Sequence, residues 1–154
     1  MAVHPIEVNE HQSRKPVVLR GRVQSGTGNA AHWLSLFNDA YARKTAMPVF
    51  PGSLNIGLEE PFDWFDPRWQ HAIAWFGREE YGGERDILLL PCVLIRAPAV
   101  PAFLWSTTVA AKDPTERLVV ELIAPVSLRT TLGLADGDIV EIELLLQPRS
   151  EHAG

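Results

Sequence analysis

Residues 120–144 read VELIAPVSLRTTLGLADGDIVEIEL and carry several local structure signals in succession. An apolar, β-rich run is followed by Pro125, whose missing amide hydrogen suits the first turn of a short helix. Gly133 can end that helix, because glycine adopts the left-handed conformation without a steric penalty. A tight turn at 135–138 leads into 139–144, where aliphatic residues alternate with glutamates. The stretch predicts a strand, a short helix, a turn and a last strand with one buried face.

The rest of the chain has the same mixture of short strands and shorter helices. Strand-like segments dominate. The sequence does not show the repeated strand–helix–strand pattern that is typical of a parallel sheet. The pattern predicts a mainly β protein, a β-barrel with short helical insertions. Upstream, the predicted elements are a strand at 17–24, a helix at 31–43, a turn and short strand at 50–56, a hairpin or short helix at 70–76, and strands at 87–96 and 100–108.

Length and composition indicate one domain with a core large enough to fold without disulfides. The chain has 154 residues, of which 46% are hydrophobic, and a formal net charge of -5. We place the domain at 16–147, between a flexible arm at 1–15 and a tail at 148–154. The acidic balance argues against nonspecific binding to nucleic acid. The single cysteine, Cys92, excludes an internal disulfide and suits a reducing compartment.

The sequence contains no pattern typical of export or of a membrane helix. Its N-terminal residues are polar, and the longest apolar stretch, at 87–95, is shorter than the roughly 20 residues that a membrane helix needs. We therefore expect a cytoplasmic monomer whose partners are small molecules, with no nucleic acid and no membrane among them.

A loop with two glycines follows the first predicted strand. Residues 26–31, GTGNAA, fit the G-x-G-x-x-A pattern of dinucleotide-binding proteins. That site also needs an acidic residue about 20 positions later, where this chain has Pro51 and Gly52. Such a loop still exposes backbone N–H groups to an anionic ligand. An ordinary hairpin turn is the equally good alternative.

Three polar residues are candidates for a metal or ligand site. Ser53 and Asn55 flank one residue, so an extended segment projects both to the same face, where their oxygens could complete the coordination of Mg²⁺. Serine and asparagine next to Pro-Gly are also ordinary turn formers. Glu121 lies in an apolar strand, and its carboxylate must be hydrogen-bonded, paired or placed at a cavity, unless that strand edge faces solvent.

Other chemistry-bearing residues have simpler explanations. Asp63 and Asp66 could form an acid–base pair, but Asp-Pro is a common start of a turn. Cys92 lies in an apolar run and is expected in the core. The five histidines lack zinc-binding spacing. The five tryptophans are expected in packing, although one or two could stack on a planar ligand.

Three segments, taken in order, resemble the archaeal CTP-dependent riboflavin kinases. They are GRVQSGTGNAAHWLSL at 21–36, FPGSLNIGL at 50–58, and the stretch at 120–144. The resemblance implies a six-stranded cradle-loop barrel related to riboflavin synthase. It also implies transfer of the γ-phosphoryl group of CTP to the 5′-hydroxyl of riboflavin, which gives FMN and CDP and uses Mg²⁺.

The resemblance also implies roles for single residues, although it names no catalytic base. Ser53 and Asn55 align with the Mg²⁺ ligands, with serine where threonine is usual. Glu121 aligns with a flavin-contacting glutamate. No threonine aligns with the family's flavin threonine; Thr107 or Thr108 could substitute for it, and Thr108 is the candidate. The implied nucleotide-binding residues are Gly26, Thr27, Gly28, Asn29, Ala30, His32, Val126, Ser127, Leu128 and Arg129.

The chain departs from the family at three places, which keeps other functions open. Ala30 stands in place of a third loop glycine, Asn29 replaces a common acid, and 106–117 lacks the family's basic flavin segment. One alternative is therefore a flavin- or nucleotide-binding barrel that has lost the kinase chemistry. Another is a structural or DNA-associated barrel, because Leu-Gly-Leu-x-Asp-Gly-Asp turns also occur in swapped-hairpin transcription factors; the acidic balance disfavours it.

Overall fold

In a computed structural model that describes residues 15–26 and 29–146, the protein is built on one antiparallel sheet. Residues 1–14 and 147–154 lie outside the described residues, so the predicted tail and nearly all of the predicted arm are not covered. The strands are β1 (Val17–Gln24), β2 (Leu54–Leu58), β3 (Ala74–Phe76), β4 (Ile87–Leu94), β5 (Val100–Thr107), β6 (Val119–Ile123) and β7 (Ile139–Leu144).

Six of these strands close into a barrel. The order is β4, β5, β6, β2, β1 and β7, and the sheet closes where Cys92 of β4 pairs with Leu144 of β7. The first half of β4 pairs instead with β3, which extends the sheet outside the barrel. The expectation of a mainly β, six-stranded barrel with short helices is confirmed.

The barrel interior is filled by every second residue of its strands. Val140, Ile142 and Leu144 of β7 are buried, whereas Glu141 and Glu143 between them are partly exposed. The same alternation holds along β1, as the sequence predicts. The strand residues of this first core are Val23, Leu54, Ile56, Leu58, Leu88, Leu90, Cys92, Leu94, Val100, Ala102, Leu104, Val120, Leu122, Val140, Ile142 and Leu144.

A second core lies on the outside of the barrel and holds the helices against it. Its buried members are Leu34, Tyr41, Val49, Phe76, Ile87, Leu89, Trp105 and Ile123. The helices are α1 (Asn29–Leu36), α2 (Asn38–Thr45), α3 (Arg78–Tyr81), α4 (Thr108–Ala111) and α5 (Leu128–Leu132). Within the described ranges, none of these helices has the length and apolar character needed to cross a membrane.

The helix predicted at 31–43 is in fact two helices that meet at Phe37. The Asn38 side chain donates to the carbonyls of Leu34, at 3.3 Å, and Val49, at 2.8 Å. These bonds tie the junction to the segment that follows α2, and Phe37 leaves the helical conformation at φ -109° and ψ 26°. The prediction of a single long helix was wrong because helical periodicity does not report the contact between Asn38 and Val49.

Two other segments refine the sequence-based elements. The hairpin or short helix predicted near 70–76 is a 3₁₀ helix, Pro67–Ala72, followed by β3. The short helix predicted between Pro125 and Gly133 begins only at Leu128, because the Ser127 side chain caps it by accepting from the backbone N–H of Thr130. Gly133 ends it with φ 63°, as predicted.

Gly21 allows β1 and β2 to approach each other, so we expect Gly21→Ala to destabilise the barrel. A Cβ at Gly21 would lie 2.3 Å from the backbone oxygen of Gly57. The strands would have to separate, at a cost of about 2 kcal/mol or more in free energy of unfolding. Gly77→Ala is the control, because a Cβ there would meet its nearest neighbour at 3.6 Å. Urea denaturation measures both; equal losses of stability would contradict the close-approach explanation.

Candidate active site

One row of residues crosses the outer face of four neighbouring strands. Trp105 of β5 pairs with Glu121 of β6, Glu121 pairs with Asn55 of β2, and Asn55 pairs with Gln24 of β1. Residues directly opposite each other on paired strands project to the same face of a sheet. Because their neighbours along each strand point into the barrel, these four side chains line up on its exterior.

The centre of the row is a cluster of oxygen atoms. The Ser53 hydroxyl donates to Oε1 of Glu121 at 2.8 Å, and its Oγ lies 3.4 Å from Oδ1 of Asn55. Burial raises the pKa of the half-buried Glu121 carboxyl, the bond from Ser53 acts in the opposite direction, and the charge of Glu116 raises the pKa further. Ser53 and Asn55 thus share a face, as their spacing predicts.

This oxygen cluster fits a hard cation such as Mg²⁺. A hydroxyl, a carboxamide and a nearby carboxylate offer the oxygen ligands that Mg²⁺ prefers, and Mg²⁺ takes only one or two of them from the protein in phosphate-binding sites. Across the part of the chain that the structure describes, no group of three or more His, Cys, Asp or Glu could hold a metal alone. Ser53 and Asn55 would therefore share such an ion with a ligand.

Gly26, the first residue of the glycine-containing loop, contacts the row at Asn55. A Cβ at Gly26 would lie only 2.7 Å from Nδ2 of Asn55, so the two residues are in close contact. Thr27 and Gly28 lie outside the described residues. Asn29 and Ala30 begin α1, and Ala30 packs against the second core.

Arg129 connects α5 to the Gln24 end of the row. Its Nη2 donates to the carbonyl oxygen of Gln24 at 3.2 Å and to Oδ1 of Asp136 at 2.6 Å. The Ser25 hydroxyl donates to the other oxygen of Asp136 at 2.6 Å. The bonds from Ser25 and then from Arg129 hold the pKa of Asp136 below its ordinary value. The segment 126–129 therefore lies beside the end of β1, where the loop begins.

The other predicted nucleotide-binding residues differ in the solvent exposure of their side chains. Leu128 is buried in the first core and Ser127 caps α5, so both side chains have structural roles within the fold. Val126 is 38% exposed. His32 is exposed on α1, and its ring lies 4.8 Å from that of Trp33 in an edge-on arrangement.

An open aromatic cleft lies at the Trp105 end of the row. Its volume is about 440 Å³, including space open to solvent, and Glu121 lies on its wall. Thr108 begins α4 and is not among the lining residues, although its helix contributes two alanines. The lining residues are Phe62, Trp64, Trp105, Ser106, Ala110, Ala111, Asp113, Glu116, Arg117, Val119, Val120 and Glu121.

Among the cleft residues, sequence reasoning missed Phe62 and Arg117 and considered Trp64 only as one of five tryptophans that could stack on a planar ligand. All three come from irregular segments without hydrophobic periodicity, and the backbone N–H of Phe62 donates to the carbonyl of Arg117 at 2.7 Å. The aromatic richness around Trp64 was the only available signal, because it suggests stacking on a planar ligand.

The remaining candidates are structural. Asp63 and Asp66 each accept a backbone N–H two residues later, from Phe65 and Arg68 respectively, so both form turns. Cys92 is fully buried in the first core, and burial raises the pKa of its thiol to about 12.

Fold and site together define a β-barrel protein with an oxygen-rich polar centre beside an aromatic cleft. The family model named for CTP-dependent riboflavin kinase, with the description "Domain of unknown function DUF120", matches residues 23–144. The chain belongs to this family.

Three archaeal relatives carry the name riboflavin kinase. The protein of Methanocella arvoryzae is 33% identical over 129 residues, which cover 82% of this chain and 56% of that protein. The protein of Pyrobaculum aerophilum is 36% identical over 136 residues, with coverage of 83% and 60%. That of Staphylothermus marinus is 29% identical over 131 residues, with coverage of 82% and 91%. The chain thus spans little more than half of the first two relatives and most of the third.

The position of Asp136 between Ser25 and Arg129 predicts a pH-dependent contribution to stability. A carboxyl whose pKa is lowered by folding stabilises the protein above its unfolded pKa, ordinarily 3.8, and this stabilisation is lost as the pH falls. We expect Asp136→Asn to lower Tm at neutral pH, with a difference from the wild type that shrinks towards about pH 3. Thermal melts across this range measure it, with the exposed Asp39→Asn as control; a pH-independent difference would contradict the assignment.

Proposed function

We propose that the protein is a CTP-dependent riboflavin kinase, which transfers the γ-phosphoryl group of CTP to the 5′-hydroxyl of riboflavin and yields FMN and CDP. The observation that carries this proposal is the row from Gln24 to Trp105. One end of the row adjoins the glycine-containing loop and the other adjoins an aromatic cleft, and the oxygen cluster lies between them. A kinase needs such an arrangement, because donor phosphate and acceptor hydroxyl must meet at one point.

The nucleotide belongs at the Gln24 end. Gly26 is in close contact with Asn55, so a phosphate that binds the backbone at Gly26 would lie next to the oxygen cluster. Arg129 is already bonded to Gln24 and Asp136, so its role is to hold the segment 126–129 beside the loop. This arrangement supports the nucleotide-binding assignments that the family implies for Gly26 and Arg129.

Ser53 and Asn55 would hold Mg²⁺ against the phosphates. The ion would neutralise charge that develops on the transferred group. Ser53 reaches Glu121 through its hydroxyl at 2.8 Å, so the residues that face the phosphates and the residue that faces the cleft are in direct contact.

Riboflavin belongs in the aromatic cleft. Phe62, Trp64 and Trp105 are largely buried and present only their edges to the cleft, where a planar ring could pack against them, and Glu121 offers a carboxylate that can accept from a flavin N–H or a ribityl hydroxyl. Because Glu121 touches Ser53, a ribityl chain that runs along it would bring its terminal hydroxyl towards the phosphates.

The alanine at position 30, where the family has a third loop glycine, is as compatible with an active kinase as with a barrel that has lost catalysis. Ala30 lies in α1, where alanine is favourable, and packs against the second core. Its methyl group therefore faces the protein. The altered segment 106–117 still supplies cleft residues, among them Ala110 and Arg117.

A product assay tests the proposal. Purified protein is incubated with riboflavin and Mg²⁺ and with CTP or ATP in separate reactions, and the flavins are separated chromatographically. FMN should form with CTP, and little should form with ATP. Absence of FMN with either donor, from protein shown to be folded, would contradict the kinase and favour a flavin- or nucleotide-binding barrel.

Asn55→Ala tests the metal assignment. Loss of the carboxamide should lower kcat by about 100-fold, because a direct metal ligand is removed, while the circular dichroism spectrum stays unchanged. Ser53→Thr is the matched control, since it retains the hydroxyl oxygen and should keep most of the turnover. Unchanged turnover in Asn55→Ala would remove this residue from the site.

A further inference from the structure

A buried hydrogen bond connects the wall of the cleft to the helices packed outside the barrel. The indole N–H of Trp105 donates to the Tyr41 hydroxyl at 2.8 Å. Tyr41 is 1% exposed and Trp105 is 9% exposed, and both belong to the second core. The bond is thus made where water cannot readily replace either partner.

The chemistry of the two groups makes this bond hard to replace. The indole nitrogen can only donate, so it requires an acceptor once it is buried. Burial raises the pKa of Tyr41 well above its ordinary value, and the phenol therefore remains neutral. An indole that loses this acceptor keeps a buried N–H without a partner, or else it rotates.

Rotation of Trp105 would change the shape of the cleft. Its indole contributes to the cleft wall, and the residue is the cross-strand partner of Glu121. One part of the side chain is therefore anchored in the second core while another part meets the space beside Glu121. Tyr41 lies behind this wall and accepts the indole N–H, so the bond restrains rotation of the indole.

We propose that Tyr41 is a positioning residue for the flavin, because it holds the Trp105 indole in the orientation against which the planar ring packs. The inference rests on the proposed function, since it takes riboflavin as the occupant of the cleft. It assigns a role in substrate affinity to α2, a helix that contributes no residue to the cleft lining. It also connects the cleft to the helix pair that begins directly after the glycine-containing loop.

Tyr81 provides a matched control. It is the other tyrosine of the chain, its ring lies 6.2 Å from that of Tyr41, and it packs on Phe37 and Phe76 in the same aromatic group. Its hydroxyl donates to the backbone oxygen of Arg85 rather than to the cleft wall. Tyr41→Phe and Tyr81→Phe therefore each remove one phenolic hydroxyl from one region, and only the first removes the acceptor of Trp105.

The experiment compares riboflavin affinity with turnover in these two variants. Riboflavin Kd is measured by flavin fluorescence, and steady-state kinetics give kcat and the KM values for riboflavin and CTP. Tyr41→Phe should raise the riboflavin Kd and KM by about 5- to 10-fold, the effect of one lost hydrogen bond, with kcat and the CTP KM within about 2-fold of wild type. Tyr81→Phe should match the wild type in all four values.

Trp105→Phe keeps the proposal testable if Tyr41→Phe does not fold. It removes the donor of the same bond and should also raise the riboflavin KM with little change in the CTP KM. Where both variants fold, the double variant should be no weaker than the worse single variant, because the two residues act through one contact.

Each further outcome has a definite meaning. Equal riboflavin KM values in Tyr41→Phe and Tyr81→Phe, or a parallel loss of kcat and of CTP affinity, would overturn the positioning role while the kinase assignment stands. Wild-type protein that neither binds nor phosphorylates riboflavin would overturn the proposed function itself, and the inference with it.

Discussion

The pairing of β2 with β6 is the constraint on which the candidate site depends. It sets Asn55 opposite Glu121, and it brings the Ser53 hydroxyl within 2.8 Å of that carboxylate. A shift of one residue in this register would turn Asn55 into the barrel and an apolar neighbour out of it. The register is protected because Leu54 and Ile56 are buried on the opposite face and because the barrel is closed. Packing of the buried residues inside the barrel thus determines which polar side chains meet on its outer face.

The two hydrophobic cores have different roles in this arrangement. The first core fills the barrel and sets the strand registers that align the row from Gln24 to Trp105. The second core attaches α1 and α2 to the outer face, and it contains Trp105, the residue at the cleft end of the row. β4 serves both cores, since Leu88 and Leu90 face inward and Ile87 and Leu89 face the helices. This explains why its sequence is apolar on both faces.

Local patterns in the sequence predict the elements better than they predict the site. Alternation of apolar residues identifies β1 and β7, and Gly133 ends the last helix as its residue type predicts, whereas the Ser127 cap, which delays the start of that helix to Leu128, was not predicted. The break at Phe37 depends on the bond from Asn38 to Val49, which no periodicity reports. The contact of Ser53 with Glu121 joins residues 68 positions apart, so spacing alone could suggest each residue but not their meeting. Phe62 and Trp64 reach the cleft from a segment without regular secondary structure, where hydrophobic periodicity carries little information.

The row is proposed to have a flavin end and a nucleotide end, and ligand-induced shifts in the NMR spectrum of ¹⁵N-labelled protein report on both ends. Riboflavin should move the indole N–H resonances of Trp64 and Trp105 and leave that of Trp75, which is 53% exposed on β3, unchanged. CTP with Mg²⁺ should move the side-chain amide resonances of Asn55. A riboflavin titration that moves Trp75 and leaves Trp105 unaffected would contradict the account.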